Sequence, residues 1–154
     1  MIKENVYPFI EEFESAVLNI SGWKLTPGRP YVTEIGELDQ GDVASIIEIS
    51  GDVQGAVAVS MSEGPAVKFA DAVTKTTHNG VDNEVEEVVA EVVNIFVGQA
   101  KRRFEKIAAM SISLPIFVRN GKFSRPLSDN NTRYICIPYR FNEELEFVLS
   151  IAIK

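Results

Sequence analysis

An α+β fold, a largely antiparallel sheet with helices packed on it, is what three features of this 154-residue chain predict. Apolar residues recur at helical spacing in three stretches and alternate with period two in others. The alternating stretches come in groups joined by short turns. Strands joined tightly pair antiparallel, because a parallel neighbour needs a crossover of a dozen or more residues. The resulting order is α, β, β, β, α, α, β, β, β.

The first helix is expected over residues 4–20, where Val6, Phe9, Ile10, Phe13, Ala16, Val17 and Ile20 keep helical spacing. Pro8 is placed about the first turn, where proline is tolerated, and Gly22 supplies the stop. Turn residues Thr26-Pro27-Gly28-Arg29-Pro30 lead to a strand near residues 31–38. Two strands follow, at residues 43–50 and 53–61. In the second, Val53, Gly55, Val57, Val59 and Met61 share one face, and the small residues Ala56, Ala58 and Ser60 the other. Gly51-Asp52 reads as their tight connection. A second helix is expected over residues 62–76, with Ser62 as N-cap and Pro65 in its first turn. Strands at 111–118 (broken by Pro115), 132–141 and 145–153 close the chain, with a polar loop at 120–131 and a turn at Asn142-Glu143. Leu145, Phe147, Leu149, Ile151 and Ile153 alternate toward the core.

The third helix, residues 83–107, carries the functional signal. Asn83 and Glu86 have capping-box spacing. At about 100° per residue, Val85, Val89, Val92, Val93, Phe96, Ala100, Phe104 and Ile107 form an apolar stripe. Glu87, Glu91, Asn94, Gly98, Lys101 and Glu105 fall in the opposite, polar sector. A glycine inside a helix costs about 1 kcal/mol relative to alanine. Packing does not require one on a wet face, so Gly98 suggests close approach of another molecule to the helix backbone. Taken alone, Glu91 and Asn94 also fit ordinary exposed positions.

The run Glu87-Val-Val-Ala-Glu91-Val-Val-Asn94, then Gly98, then Pro115, resembles the signature of the CheX/CheC/FliY chemotaxis phosphatases. That signature is Asp or Ser, then Glu-x-x-Asn, then a distant proline; Glu87 departs from it. The order of elements is similar to CheX over essentially the whole chain. The resemblance implies one domain over residues 1–154 with a pseudo-symmetric, CheC/CheX-like fold. The first helix reads Ala16-Val17-Leu18-Asn19 and lacks the glutamate, so one site is expected, as in CheX.

The resemblance further implies a phosphatase that hydrolyses the aspartyl-phosphate of a CheY-like response-regulator receiver domain. Asn94 would orient the attacking water and Glu91 would pair with a lysine of the partner. Gly98 would leave room for partner backbone, with Glu87 and Lys101 counted as partner-binding positions. No cofactor of its own is expected, since Mg²⁺ would belong to the receiver. The alternative is a binding module that docks a receiver or flagellar-switch protein without hydrolysis. A third reading is a small-molecule domain, with Trp23 and Tyr31 lining a pocket. A homodimer is expected, with strand 145–153 as a candidate edge, although the same strand fits a central place equally well.

Composition narrows the rest. Hydrophobic residues at 45% and charged residues at 24% describe a globular chain able to bury its own core. A net charge of −7 argues against a nucleic-acid or anionic-membrane surface, so neither partner is expected. Lys101-Arg102-Arg103 reads as a complement to the helix dipole. One cysteine, Cys136, excludes an internal disulfide and reads as a buried hydrophobe. One histidine, His78, excludes triads and multi-histidine metal sites, and no phosphate-binding glycine loop is present. The glutamates from Glu84 to Glu91 and the run Asp129-Asn130-Asn131 read as solvated surface and turn, so no metal site is expected. With no leader or membrane-spanning run, a cytoplasmic location is expected.

Overall fold

The computed structural model describes residues 3–34, 43–119 and 133–153. The end of the strand expected at 31–38, the loop expected at 120–131 and the turn expected at Asp129-Asn130-Asn131 lie outside those residues.

Among the described residues, three helices lie against one antiparallel sheet. The elements run α1 (Lys3–Ser21), β1 (Thr26–Pro27), β2 (Tyr31–Glu34), β3 (Val43–Gly51), β4 (Gly55–Met61), α2 (Glu63–Thr74), α3 (Asn83–Phe104), β5 (Met110–Ile112), β6 (Ile116–Arg119), β7 (Arg133–Phe141) and β8 (Leu145–Ile153). The sheet order is β1-β7-β8-β4-β3-β5, with β2 also on β7 and β6 also on β3. Every pairing is antiparallel.

The two halves are related by exchange. Each contributes a long helix, an interrupted outer strand and a hairpin. The outer strand of the first half, β1 with β2, pairs with the second hairpin through β7. The outer strand of the second half, β5 with β6, pairs with the first hairpin through β3. The hairpins meet at β4 and β8, so the halves interlock across the sheet centre.

That centre decides between the two places open to residues 145–153. Strand β8 is flanked by β4 and β7 on both edges, so it offers no edge to a second copy. Every residue of β8 from Phe147 to Ile153 is buried, as in a strand covered on both faces. Gly55 shows how closely the halves meet: a Cβ there would lie 1.7 Å from the carbonyl oxygen of Ala152.

Alternation assigns the faces. Ile47, Val57, Val59, Leu149 and Ile151 point to the helices and join the main core. Ala44, Ile46, Ala56, Ala58, Cys136 and Ala152 form a second apolar cluster on the other face. Helices α1 and α3 lie side by side, with Phe13 edge-on to Phe96 at 5.2 Å between ring centroids and Phe9 5.7 Å from Phe104. Such pairs add about 0.5–1.5 kcal/mol to the burial of their area. The Tyr139 hydroxyl, in the core, donates to Glu14 Oε2 at 2.8 Å, and burial raises its pKa well above the ordinary tyrosine value.

Local chemistry explains the remaining departures. Pro8 is the sixth residue of α1 rather than part of its first turn, and removes one helical hydrogen bond there. Pro115 splits the outer strand into β5 and β6, since proline cannot donate to a ladder. Ser113 carries the ladder across the gap: its N–H donates to the Glu48 carbonyl, and its Oγ accepts from the Glu48 N–H, both at 2.9 Å. Asn142 and Glu143 both adopt positive φ in the turn between β7 and β8.

Candidate functional site

Helix α3 is rich in valine, a mediocre helix former because of its branched β-carbon. Burial compensates: Val85, Val89, Val92, Val93, Phe96, Val97 and Ala100 are all at most 1% exposed. A helix whose apolar stripe is locked in this way holds its outer face in a fixed orientation. Its start is set by Asp82, whose Oδ1 accepts from the Val85 N–H at 2.9 Å. The cap is therefore Asp82, one residue before the expected Asn83, because the aspartate carboxylate reaches the third free N–H of the turn. The helix ends at Phe104, so Ile107 lies beyond it and is 76% exposed rather than part of the apolar stripe.

The last turn carries Lys101, Arg102 and Arg103. Arg103 does more than complement the dipole. Its guanidinium donates to Glu11 Oε1 at 2.7 Å and Glu12 Oε2 at 3.2 Å, tying α3 to α1.

On the outer face, Glu87, Glu91 and Asn94 are exposed, and Gly98 and Lys101 are half-buried. All five fall on one stripe of a single helix, acidic at the N-terminal end and basic at Lys101. Residues three and four apart on such a stripe have β-carbons about 5–6 Å from each other. Gly98 has ample room: a Cβ there would meet no atom outside the adjoining helix within 4 Å. Neither packing nor backbone conformation within this chain calls for glycine at that position.

Beside this stripe runs a groove of about 340 Å³, where the ends of α1 and α2 meet the first half of α3. Ile20, Val73, Val88 and Ile95 supply its apolar lining, and Glu84, Glu87 and Glu91 its acidic lining. Sequence reasoning missed this groove, since no helix announces its neighbours. It also missed the role of His78. The imidazole is buried between two carboxylates, with Nδ1 2.7 Å from Asp71 Oδ1 on α2 and Nε2 2.5 Å from Glu84 Oε1 on α3. These bonds, Glu84 first, raise the histidine pKa above its ordinary value, and the bond to His78 lowers that of Asp71.

Other candidates disperse. Trp23 stacks on Phe141 at 4.3 Å and meets Phe69 edge-on, as packing of the core. Tyr31 lines a groove with Val6, Ile10 and Ile137, and Trp23 is not part of that lining. Cys136 is buried, its Sγ 3.4 Å from Ser150 Oγ. Among the described residues no group of three or more His, Cys, Asp or Glu side chains is arranged to hold a metal ion. Asn19 of α1 stands exposed, its amide donating to Ser15 Oγ at 3.5 Å, with Ala16 where a glutamate would be needed to repeat the α3 pair. No helix among the described residues is long and apolar enough to cross a membrane.

This arrangement of helices and sheet occurs in solved structures. A CheC-like superfamily protein from Shewanella sp. PV-4 superposes with a TM-score of 0.87 at 20% identity, covering 100% of this chain and 99% of that one. The chemotaxis protein CheX from Vibrio vulnificus gives 0.84 at 22% identity, covering 98% and 99%. A chain of the CheX–CheY–BeF3–Mg²⁺ complex from Borrelia burgdorferi gives 0.79 at 22% identity, covering 97% of each. At such identities the likeness concerns the fold. No curated protein sequence matches significantly. The sequence model of the chemotaxis phosphatase CheX family matches residues 43–140, from the first strand of the central hairpin through α3 to β7. With more than half its length matched in this way, the chain belongs to the chemotaxis phosphatase CheX family.

Proposed function

We propose that this protein accelerates hydrolysis of the aspartyl-phosphate on a CheY-like receiver domain, acting in the cytoplasm as one domain over residues 1–154. Family membership supports the reaction class, and a related CheX chain occurs in complex with CheY. The observation that carries the residue assignment is the outward stripe on α3: a carboxylate and an amide about one turn apart, beside a glycine that this chain does not need.

An acyl phosphate already has a good leaving group. In-line attack by water therefore needs mainly positioning and charge stabilisation. The water oxygen bonds to phosphorus as the bond to the aspartyl oxygen breaks, leaving a free carboxylate and inorganic phosphate. Asn94 enters the partner's site, and its Oδ1 accepts a hydrogen bond from that water, aiming a lone pair at phosphorus. An amide suits the task because it both donates and accepts and does not titrate. Glu91 pairs with a lysine of the receiver and sets the register. Gly98 lets partner backbone approach the helix, and Glu87 and Lys101 contact the partner at either end of the stripe. The Mg²⁺ belongs to the receiver, so this chain contributes position rather than metal ligands.

Phosphate release from phosphorylated receivers, with and without the protein, tests this reading. Faster release that disappears in Asn94→Ala is the expected result. Binding without acceleration would instead identify a non-catalytic docking module. The same proposal includes a homodimer. With β8 enclosed, pairing must use a surface other than that strand. A monomer by light scattering at micromolar concentration would exclude it.

A further inference from the structure

We infer that the groove between the ends of α1 and α2 and the first half of α3 seats an aliphatic side chain of the receiver, flanked there by a lysine or arginine. This rests on the docking role proposed for α3 and extends the interface onto two further helices.

The groove's floor is the first ground. Ile20, Val73 and Ile95 are only partly buried although each packs against the main core. Together they leave an apolar recess open beside the outward stripe. Covering such a surface is favourable in proportion to the apolar area removed from water. The second ground is charge. Glu87 and Glu91 stand on the groove's side of α3, one turn apart, and neither has an ion-pair partner among the described residues. Like charges four apart on a helix are mildly destabilising, so folding alone does not favour the pair. A partner cation beside an aliphatic knob would satisfy both the carboxylates and the recess.

The same charges argue against a second copy of this chain as the occupant. A two-fold pairing centred on the groove would set its carboxylates against one another. Continuity with Glu91 instead makes the groove the natural extension of the face offered to the receiver.

Two variants test this with receivers phosphorylated by acetyl phosphate. Val73→Lys puts a cation into the recess, and Thr74→Lys puts one at its edge, at the end of α2 and away from the stripe on α3. Each should raise KM for the phosphorylated receiver about tenfold, roughly 1.4 kcal/mol, with kcat within about twofold of wild type. KM for the wild type should also rise with salt. If Val73→Lys fails to fold, by loss of its circular-dichroism melting transition, Thr74→Lys decides alone. Unchanged KM in every folded variant, with acceleration intact, would overturn the groove and leave the phosphatase reading standing. Receiver binding that these variants weaken, without any acceleration by the wild type, would uphold the groove and overturn the phosphatase reading. No binding and no acceleration with any receiver would overturn both.

Discussion

His78 Nε2 lies 2.5 Å from Glu84 Oε1, a contact that closes the turn between α2 and α3 across six residues. The other ring nitrogen is 2.7 Å from Asp71 Oδ1. A neutral imidazole has one N–H and can donate to only one of these carboxylates. Two short contacts to acceptors therefore describe an imidazolium between two carboxylates.

The pH dependence follows from the directions of the two shifts. A histidine pKa raised above its usual 6.5 contributes stability below that value and loses it as pH rises through the folded pKa. An aspartate lowered from 3.8 contributes above that value and loses it as pH falls through its folded pKa. The bridge is thus strongest between 3.8 and 6.5. The melting temperature of His78→Gln should fall furthest below wild type in that window, with the gap narrowing toward pH 9. Melting curves followed by circular dichroism across pH 4–9 check this; a gap independent of pH would discount the charged bridge.

Asn94→Ala should remove acceleration without harming the fold. Loss of one positioned group typically costs about 10²–10³ in rate. Asn94 is exposed, so stability should change by no more than about 0.5 kcal/mol. Single-turnover phosphate release together with a thermal melt separates the two effects.

Gly98→Ala should stabilise the protein by up to about 1 kcal/mol, because the new methyl group meets nothing and alanine favours the helix. If partner backbone approaches there, the same change should weaken receiver binding, and Gly98→Leu should weaken it further. Denaturant unfolding and titration with a receiver supply both numbers. A stabilised variant with wild-type affinity would remove Gly98 from the interface.

Gly55→Ala should be the most damaging of these changes. A methyl group 1.7 Å from the Ala152 carbonyl oxygen forces β4 and β8 apart at the sheet centre. A loss of about 3 kcal/mol or more is expected, visible as a collapse in soluble yield or a much lower unfolding midpoint.

Which side of a strand faces the helices was largely legible in the sequence. Period-two alternation in residues 145–153 correctly assigns Phe147, Leu149, Ile151 and Ile153 to the main core, though not Leu145 at the strand's start, because each step along a strand turns the side chain over. The stripe on α3 was legible for the same reason at period 3.6, and Glu91 and Asn94 are exposed as it requires. Proline chemistry marked the break at Pro115 but misplaced Pro8, since helix ends depend on caps a residue or two away.

What the sequence by itself determined is therefore periodic and local: three helices, the hairpins, the buried side of each, and the outward line from Glu87 to Lys101. Strand neighbours were beyond it, because a run such as residues 145–153 has the same alternation at an edge or at the centre. Only the tertiary structure placed β8 between β4 and β7, folded His78 back onto Asp71 and Glu84, and set Ile20 and Val73 beside α3. Those juxtapositions come from packing between segments far apart in the chain or joined by an irregular turn, where no repeat exists to be read.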